Sequence, residues 1–224
     1  MIFDPMYFLF IGPPLLLGLW AQFRIRSTYA QAQQIGAPFS GAVAARQILD
    51  SAGLEEVGIE QVSGHLSDHY DPRDKVLRLS PEVYRSNSLA AVGIAAHEAG
   101  HALQDAHNYA PLVVRNAVVP VASFGSNAGI WMCVLGLVFQ TSLPFLLPLG
   151  IIVFSGVVFF QLVNLPVEFN ASARAKAQLV ELGIVPHNEM YYIEKVLNAA
   201  ALTYVAATLQ AIMTLLYFVM RSRD

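Results

Sequence analysis

Apolar and polar positions divide this chain into long blocks. Residues 6–23 are apolar and uncharged, with Asp4 before them and Arg24 and Arg26 directly after. Residues 116–167 contain no Asp, Glu, Lys, Arg or His, and residues 199–220 form a last apolar block before Arg221-Ser222-Arg223-Asp224. A bilayer core takes about 20 helical residues to cross, so the middle block accommodates two spans. The pattern predicts four membrane helices, over residues 6–23, 117–139, 143–165 and 199–220, with Gln140-Thr141-Ser142 as the hairpin of the central pair. Gly12-Pro13-Pro14 interrupts the first helix and is expected to kink or shorten it.

The polar segments, 24–115 and 167–198, read differently. Gly36-Ala37-Pro38 ends a polar stretch, and Ser40 can cap a short helix that runs to Ser51 and stops at Gly53. Val57, Ile59 and Gln61-Val62 suggest a strand, and His65–Tyr70 a second extended piece. Asp71-Pro72-Arg73-Asp74 is a turn signal before Lys75–Leu79, whose alternation fits a half-buried strand. Ser80-Pro81 starts a helical turn, and Asn87-Ser88 can cap a helix rich in small residues from Leu89 onward. After the central spans, helical character returns over Ala171–Leu182, with Gly183 as its stop. The expected fold is therefore mainly α: a polytopic membrane protein with a small α+β domain at the membrane face. The whole of residues 1–224 is read as one domain, with 24–115 and 167–198 as its polar segments.

Composition agrees with that class. The chain is 55% hydrophobic and 13% charged, where soluble domains carry about 25% charged residues. The net charge is −3 and no basic run suggests a nucleic-acid partner, so the expected partner is the lipid bilayer. Cys133, the single cysteine, lies in an apolar block and reads as a small core residue. The first apolar block has its positive charges after it rather than before, which is the wrong order for a cleaved signal peptide. Positive charge also argues orientation. Lys and Arg concentrate in the segments 24–115 and 167–198, which places both on the cytoplasmic side and the N-terminus outside. Arg221 and Arg223 dissent, because a fully crossing last helix puts them outside.

The chemistry starts from His97-Glu98-Ala99-Gly100-His101. On a helix, His97 and His101 are about 40° apart around the axis and one turn apart along it. Both imidazoles can then reach one metal ion, and Glu98 lies where a carboxylate can accept a proton from activated water. Catalytic zinc takes three protein ligands, so a third is needed. His107 stands at the metzincin offset, but Gln104 replaces the glycine that lets the chain swing back; on an unbroken helix His107 lies about 240° around from His101. Glu168 follows Pro166 near the end of a span, where a carboxylate is costly unless something positive pairs with it. An aspartate from a later apolar segment, as in site-2-type intramembrane proteases, is excluded because the apolar blocks after Arg115 hold no acid.

Three stretches together, His97–His101, Pro166-Val167-Glu168-Phe169-Asn170-Ala171-Ser172 and Val196–Ala206, resemble the YugP family of bacterial membrane-bound neutral zinc metallopeptidases, of a gluzincin-like kind. The likeness covers essentially the whole chain. More distantly, the chain is similar to HtpX-type membrane proteases and CAAX prenyl proteases, which carry a Glu-x-x-Ala-Asp motif; here Ser172 stands at the aspartate position. The resemblance implies a zincin-like catalytic domain and one zinc ion per chain. It assigns His97, His101 and Glu168 as ligands and Glu98 as general base, in a bacterial cytoplasmic (inner) membrane. Whatever the relatives' aspartate orients must here be oriented by Ser172, Asn170 or another group.

The activity so implied is a zinc-dependent endopeptidase acting on polypeptide, misfolded or membrane-tethered chains among them. An oxyanion donor is also required. Tyr204, in the third motif, is the favoured candidate beside His187, Tyr191 and Arg174. Strand edges at His65–Tyr70 and Lys75–Leu79 can align an extended peptide. His65, Asp68, His69 and Asp71 invite a second metal site. A zinc-binding membrane protein for transport, sensing or scaffolding is the rival, and Glu98 separates the two because only catalysis needs it.

Overall fold

Two serines open the helices that matter most. Ser40 Oγ accepts from the Val43 amide, and Ser88 Oγ accepts from the Ala91 amide at 3.2 Å; each satisfies an amide that the first helical turn would leave unpaired. A computed structural model describes residues 4–65 and 67–223. In chain order it gives α1 (Pro5–Gln33), α2 (Gly41–Ser51), β1 (Gly58–Gln61), β2 (His69–Asp71), β3 (Val76–Leu79), α3 (Pro81–Arg85), α4 (Leu89–Ala106), α5 (Ala110–Val138), α6 (Leu146–Glu181) and α7 (Met190–Arg221). The protein is mainly helical, and α1, α5, α6 and α7 are long and apolar enough to cross a membrane.

Residues divide into two compact units. The first comprises 4–21, 110–166 and 202–223 among the described residues. Its outward side chains are apolar: Leu16, Phe124, Trp131 and Ile152 are each more than 60% exposed, as lipid-facing positions require. Within it, α5 and α6 approach backbone to backbone. A β-carbon on Gly136 would stand 2.4 Å from the Leu147 amide nitrogen. Small residues at such crossings give close packing where no hydrophobic force separates helix from lipid. Cys133 is buried there with Leu147, Tyr217 and Phe218, as a small core residue.

Asp4, before the start of α1, accepts a hydrogen bond from Tyr217 at 3.0 Å and pairs with Arg221 at 3.7 Å near the end of α7. The start of α1 and the end of α7 thus share one end of this unit. Arg221, one of the two charges that dissented from the orientation rule, is paired with an acid there.

The second unit, 22–109 and 167–201, holds the small sheet. Its order is β1-β3-β2, with β1 parallel and β2 antiparallel to β3. One apolar core joins Ile48 and Leu49 of α2, Leu77 and Leu79 of β3, Leu89 and Val92 of α4, Leu179 of α6 and Ile193 of α7.

Several expectations change. Lys75–Leu79 was expected to offer a strand edge, but β3 is the central strand and both its edges are paired. Of the extended piece at His65–Tyr70, Leu66 lies outside the described residues, and the strand found there is β2, His69–Asp71. Ser80 stands at the N-cap of α3 but its side chain makes no capping bond; its hydroxyl instead donates to Asp68 at 3.0 Å. The separate span and polar helix expected around Pro166 are one continuous 36-residue helix. Pro13 and Pro14 likewise sit inside α1. Proline costs one backbone hydrogen bond, which long membrane helices tolerate.

Candidate metal centre

Helix α4 supplies two imidazoles and a carboxylate from adjacent turns. His97 and His101 stand edge to face, ring centroids 4.8 Å apart at 84°. Glu98 and His101 are both 8% exposed. The helix can approach α6 this closely because residue 100 is glycine. A β-carbon there would lie 2.5 Å from the Ala171 carbonyl oxygen and 3.1 Å from its carbonyl carbon. Backbone therefore packs on backbone, and Glu168, 4% exposed on α6, reaches the histidines.

His97 Nε2 lies 3.3 Å and His101 Nε2 3.6 Å from Glu168 Oε2. The ligand atoms of this group all lie within 4.8 Å of one another. Bonds of 2.0–2.1 Å at tetrahedral angles would set such atoms about 3.3 Å apart. The far ring nitrogens are occupied elsewhere: His97 Nδ1 meets Ser172 Oγ at 3.1 Å and His101 Nδ1 meets Gln104 Oε1 at 3.0 Å. Glu168 Oε2 is buried without a hydrogen bond. With both Nε2 atoms unprotonated, the three side chains present lone pairs to one point, which a cation would join. The donor set, two imidazoles and one carboxylate, suits zinc, and His97, His101 and Glu168 could hold the ion.

Glu98 faces the sheet. The Tyr70 amide on edge strand β2 donates to Glu98 Oε2 at 3.1 Å. Burial pushes the Glu98 carboxyl up to about 7; the His97 side chain opposes the rise, and Glu168 and Asp68 add to it. A carboxylate so poised has the proton affinity that suits a general base near neutral pH.

The other candidates are placed as follows. His107 caps the C-terminus of α4, its Nδ1 bonded to the Leu103 carbonyl at 2.6 Å, and it is no part of the metal-competent group. The suggested second metal set is dispersed among other partners. His65 pairs with Glu82, Asp68 accepts from Ser80, His69 meets the Ser67 carbonyl, and Asp71 pairs with Arg78. Among the described residues only His97, His101 and Glu168 form a metal-competent group. His187 is exposed, and Tyr191 is exposed with Lys195 over its ring at 4.2 Å. Arg174 Nε donates to Asn170 Oδ1 at 2.8 Å. Tyr204 is half-buried on α7, among the residues of the membrane unit.

Gln104 escaped the sequence reading as anything but a missing glycine. It is fully buried, and its Nε2 donates to the Val167 carbonyl at 2.8 Å and to Asn170 Oδ1 at 3.0 Å. The available signal was its spacing: three residues after His101 on a helix is the same face.

Comparison with known proteins places the whole chain in a family. A family model described as "Putative neutral zinc metallopeptidase" matches residues 7–223. A protein of Bacillus subtilis (strain 168) named "Putative membrane protease YugP" is 47% identical over 218 residues, covering 96% of each chain. No solved structure matches. A chain with four helices long and apolar enough to cross a membrane and with two histidines and a glutamate that could hold a metal ion, matched over residues 7–223, belongs to this family of neutral zinc metallopeptidases.

Proposed function

We propose that the protein is a zinc-dependent membrane endopeptidase that binds one zinc ion through His97, His101 and Glu168. The observation that carries this is the convergence of those three largely buried side chains with both Nδ1 atoms already committed. The 47% identity to a protein named as a membrane protease supports it. When bound, zinc supplies an acidified water and an electrophile for the scissile carbonyl.

The chain's own residues then have defined tasks. Glu98 accepts the proton of the attacking water and returns it to the leaving amine. Its hydrogen bond from the Tyr70 amide holds one carboxylate oxygen against β2, so the other is available for that exchange. Strand β2 is an edge strand and aligns an extended substrate backbone, which makes selection broad. Burial of the site keeps these charges in a low dielectric, where they act strongly.

The proposed location is the bacterial cytoplasmic membrane with the catalytic unit on the cytoplasmic side. Eight Lys and Arg lie within residues 24–115 and three more within 167–198, against two in the tail. Misfolded or membrane-tethered chains are the proposed substrates, in membrane protein quality control. Purified protein is expected to cleave an unfolded polypeptide, to stop when stripped by a chelator and to recover on adding zinc. Cleavage that survives complete metal removal contradicts the proposal.

A further inference from the structure

We infer that Gln104 is a positioning residue of the metal site, which fixes the tautomer and ring orientation of His101 through a chain of hydrogen bonds ending at Arg174. The inference rests on the metal-binding reading above and adds to it a residue outside the ligand set.

Proton direction along the chain is determined by its ends. Arg174 Nε can only donate, so the atom it meets, Asn170 Oδ1, is an acceptor. Gln104 meets the same oxygen at 3.0 Å and the Val167 carbonyl at 2.8 Å, so both contacts come from its amide nitrogen. Two fixed acceptors leave the Gln104 carbonyl oxygen facing His101 Nδ1 at 3.0 Å. That oxygen can only accept, so Nδ1 carries the proton and Nε2 presents a lone pair to the point shared with His97 and Glu168.

Burial gives the chain its force. Gln104 is 0% exposed, so each of its polar atoms must find a partner, and all do. A rotated Gln104 amide would set oxygen against oxygen at two contacts in a dry interior. The same amide ties α4 to α6 at Val167, next to Glu168, so one side chain sets both the ring of one ligand and the helix bearing another. His97 has a separate, simpler anchor in Ser172, one helical turn beyond Glu168 on α6. Both anchors are neutral, and they orient the imidazoles without adding negative charge.

Full-length protein in detergent, titrated with zinc against a chelating dye, tests this. Gln104→Leu is expected to bind zinc about 10–100-fold more weakly than the parent. Its cobalt-substituted form is expected to show a shifted visible spectrum, with helical content unchanged. Asn170→Ala is expected to weaken binding in the same direction, and Asn170→Asp, which keeps the acceptor, to restore it. Parental zinc affinity and cobalt spectrum in folded Gln104→Leu overturn the inference while leaving the metal site standing. If Gln104→Leu does not fold, equal affinities of the Asn170→Ala and Asn170→Asp proteins overturn it. A parent protein that takes up no zinc overturns both this inference and the reading beneath it.

Discussion

Glu98→Gln is expected to cut peptide hydrolysis by about 10²–10⁴-fold while the protein keeps its zinc. The amide has nearly the shape of the carboxylate, and its oxygen can still accept from the Tyr70 amide. It cannot take a proton at neutral pH. Glu98 is not among the three converging ligand atoms, so zinc content should not move. The same substitution carries a stability signature in the metal-free protein. Burial raises the Glu98 carboxyl from an ordinary 4.5 to about 7. At pH 4 both folded and unfolded forms are protonated and the buried group costs nothing as a charge. As pH rises past 4.5 the unfolded chain ionises first, and above 7 the fold must hold a buried carboxylate. Stability is therefore present at low pH and lost as pH climbs through 7, by up to about 3 kcal/mol. Metal-free Glu98→Gln should melt near the parent at pH 4 and above it at pH 8. Equal melting at both pH values, or full activity in the zinc-loaded variant, contradicts the role given to Glu98.

Gly100→Ala should be damaging out of proportion to one methyl group. The added carbon would stand 2.5 Å from the Ala171 carbonyl oxygen, and the atoms it meets are all backbone. No rotamer change relieves such a contact, so α4 and α6 must separate. Overpacking of this kind costs about 1–3 kcal/mol. The larger consequence falls on zinc: separating the helices draws Glu168 away from His97 and His101 and stretches the bonds of Gln104 to Val167 and Asn170. Zinc affinity should drop at least as far as when a single orienting hydrogen bond is removed, about 10–100-fold. Gly93→Ala on the same helix is the comparison. The atoms nearest its new carbon belong to the Ile193 side chain, the first at 3.1 Å, which can shift. Thermal melts and zinc titrations of the two variants decide it, and similar behaviour of both would remove helix approach from the explanation.

Much of this was legible in the chain because local chemistry decided it. Ser40 and Ser88 cap where a serine precedes small or apolar helical residues, and Pro81 stands at the first turn of α3. The three apolar blocks appear as four long helices, since a bilayer-length apolar run has few other solutions. His97 and His101 meet because helical spacing alone brings them to one face.

The rest depended on partners far along the chain. Pro166 reads as a boundary by propensity, yet α6 continues through it. The strand edge depended on sheet order: Lys75–Leu79 has the better alternation, but a central strand has no free edge. The histidine-and-aspartate stretch from His65 to Asp71 looked ligand-rich, but Ser80, Glu82 and Arg78 claim its polar groups one by one. Gln104 was visible only as an absence of glycine, because its three partners come from α4 and α6 together.

The most direct test of the account is the zinc bound per chain in purified parent, Glu168→Ala and His107→Ala proteins. Three converging side chains predict about one zinc in the parent. Zinc should be lost from Glu168→Ala and retained in His107→Ala, whose ring is bonded to the end of its own helix. A parent without zinc, or zinc that survives Glu168→Ala and disappears in His107→Ala, contradicts the site as described.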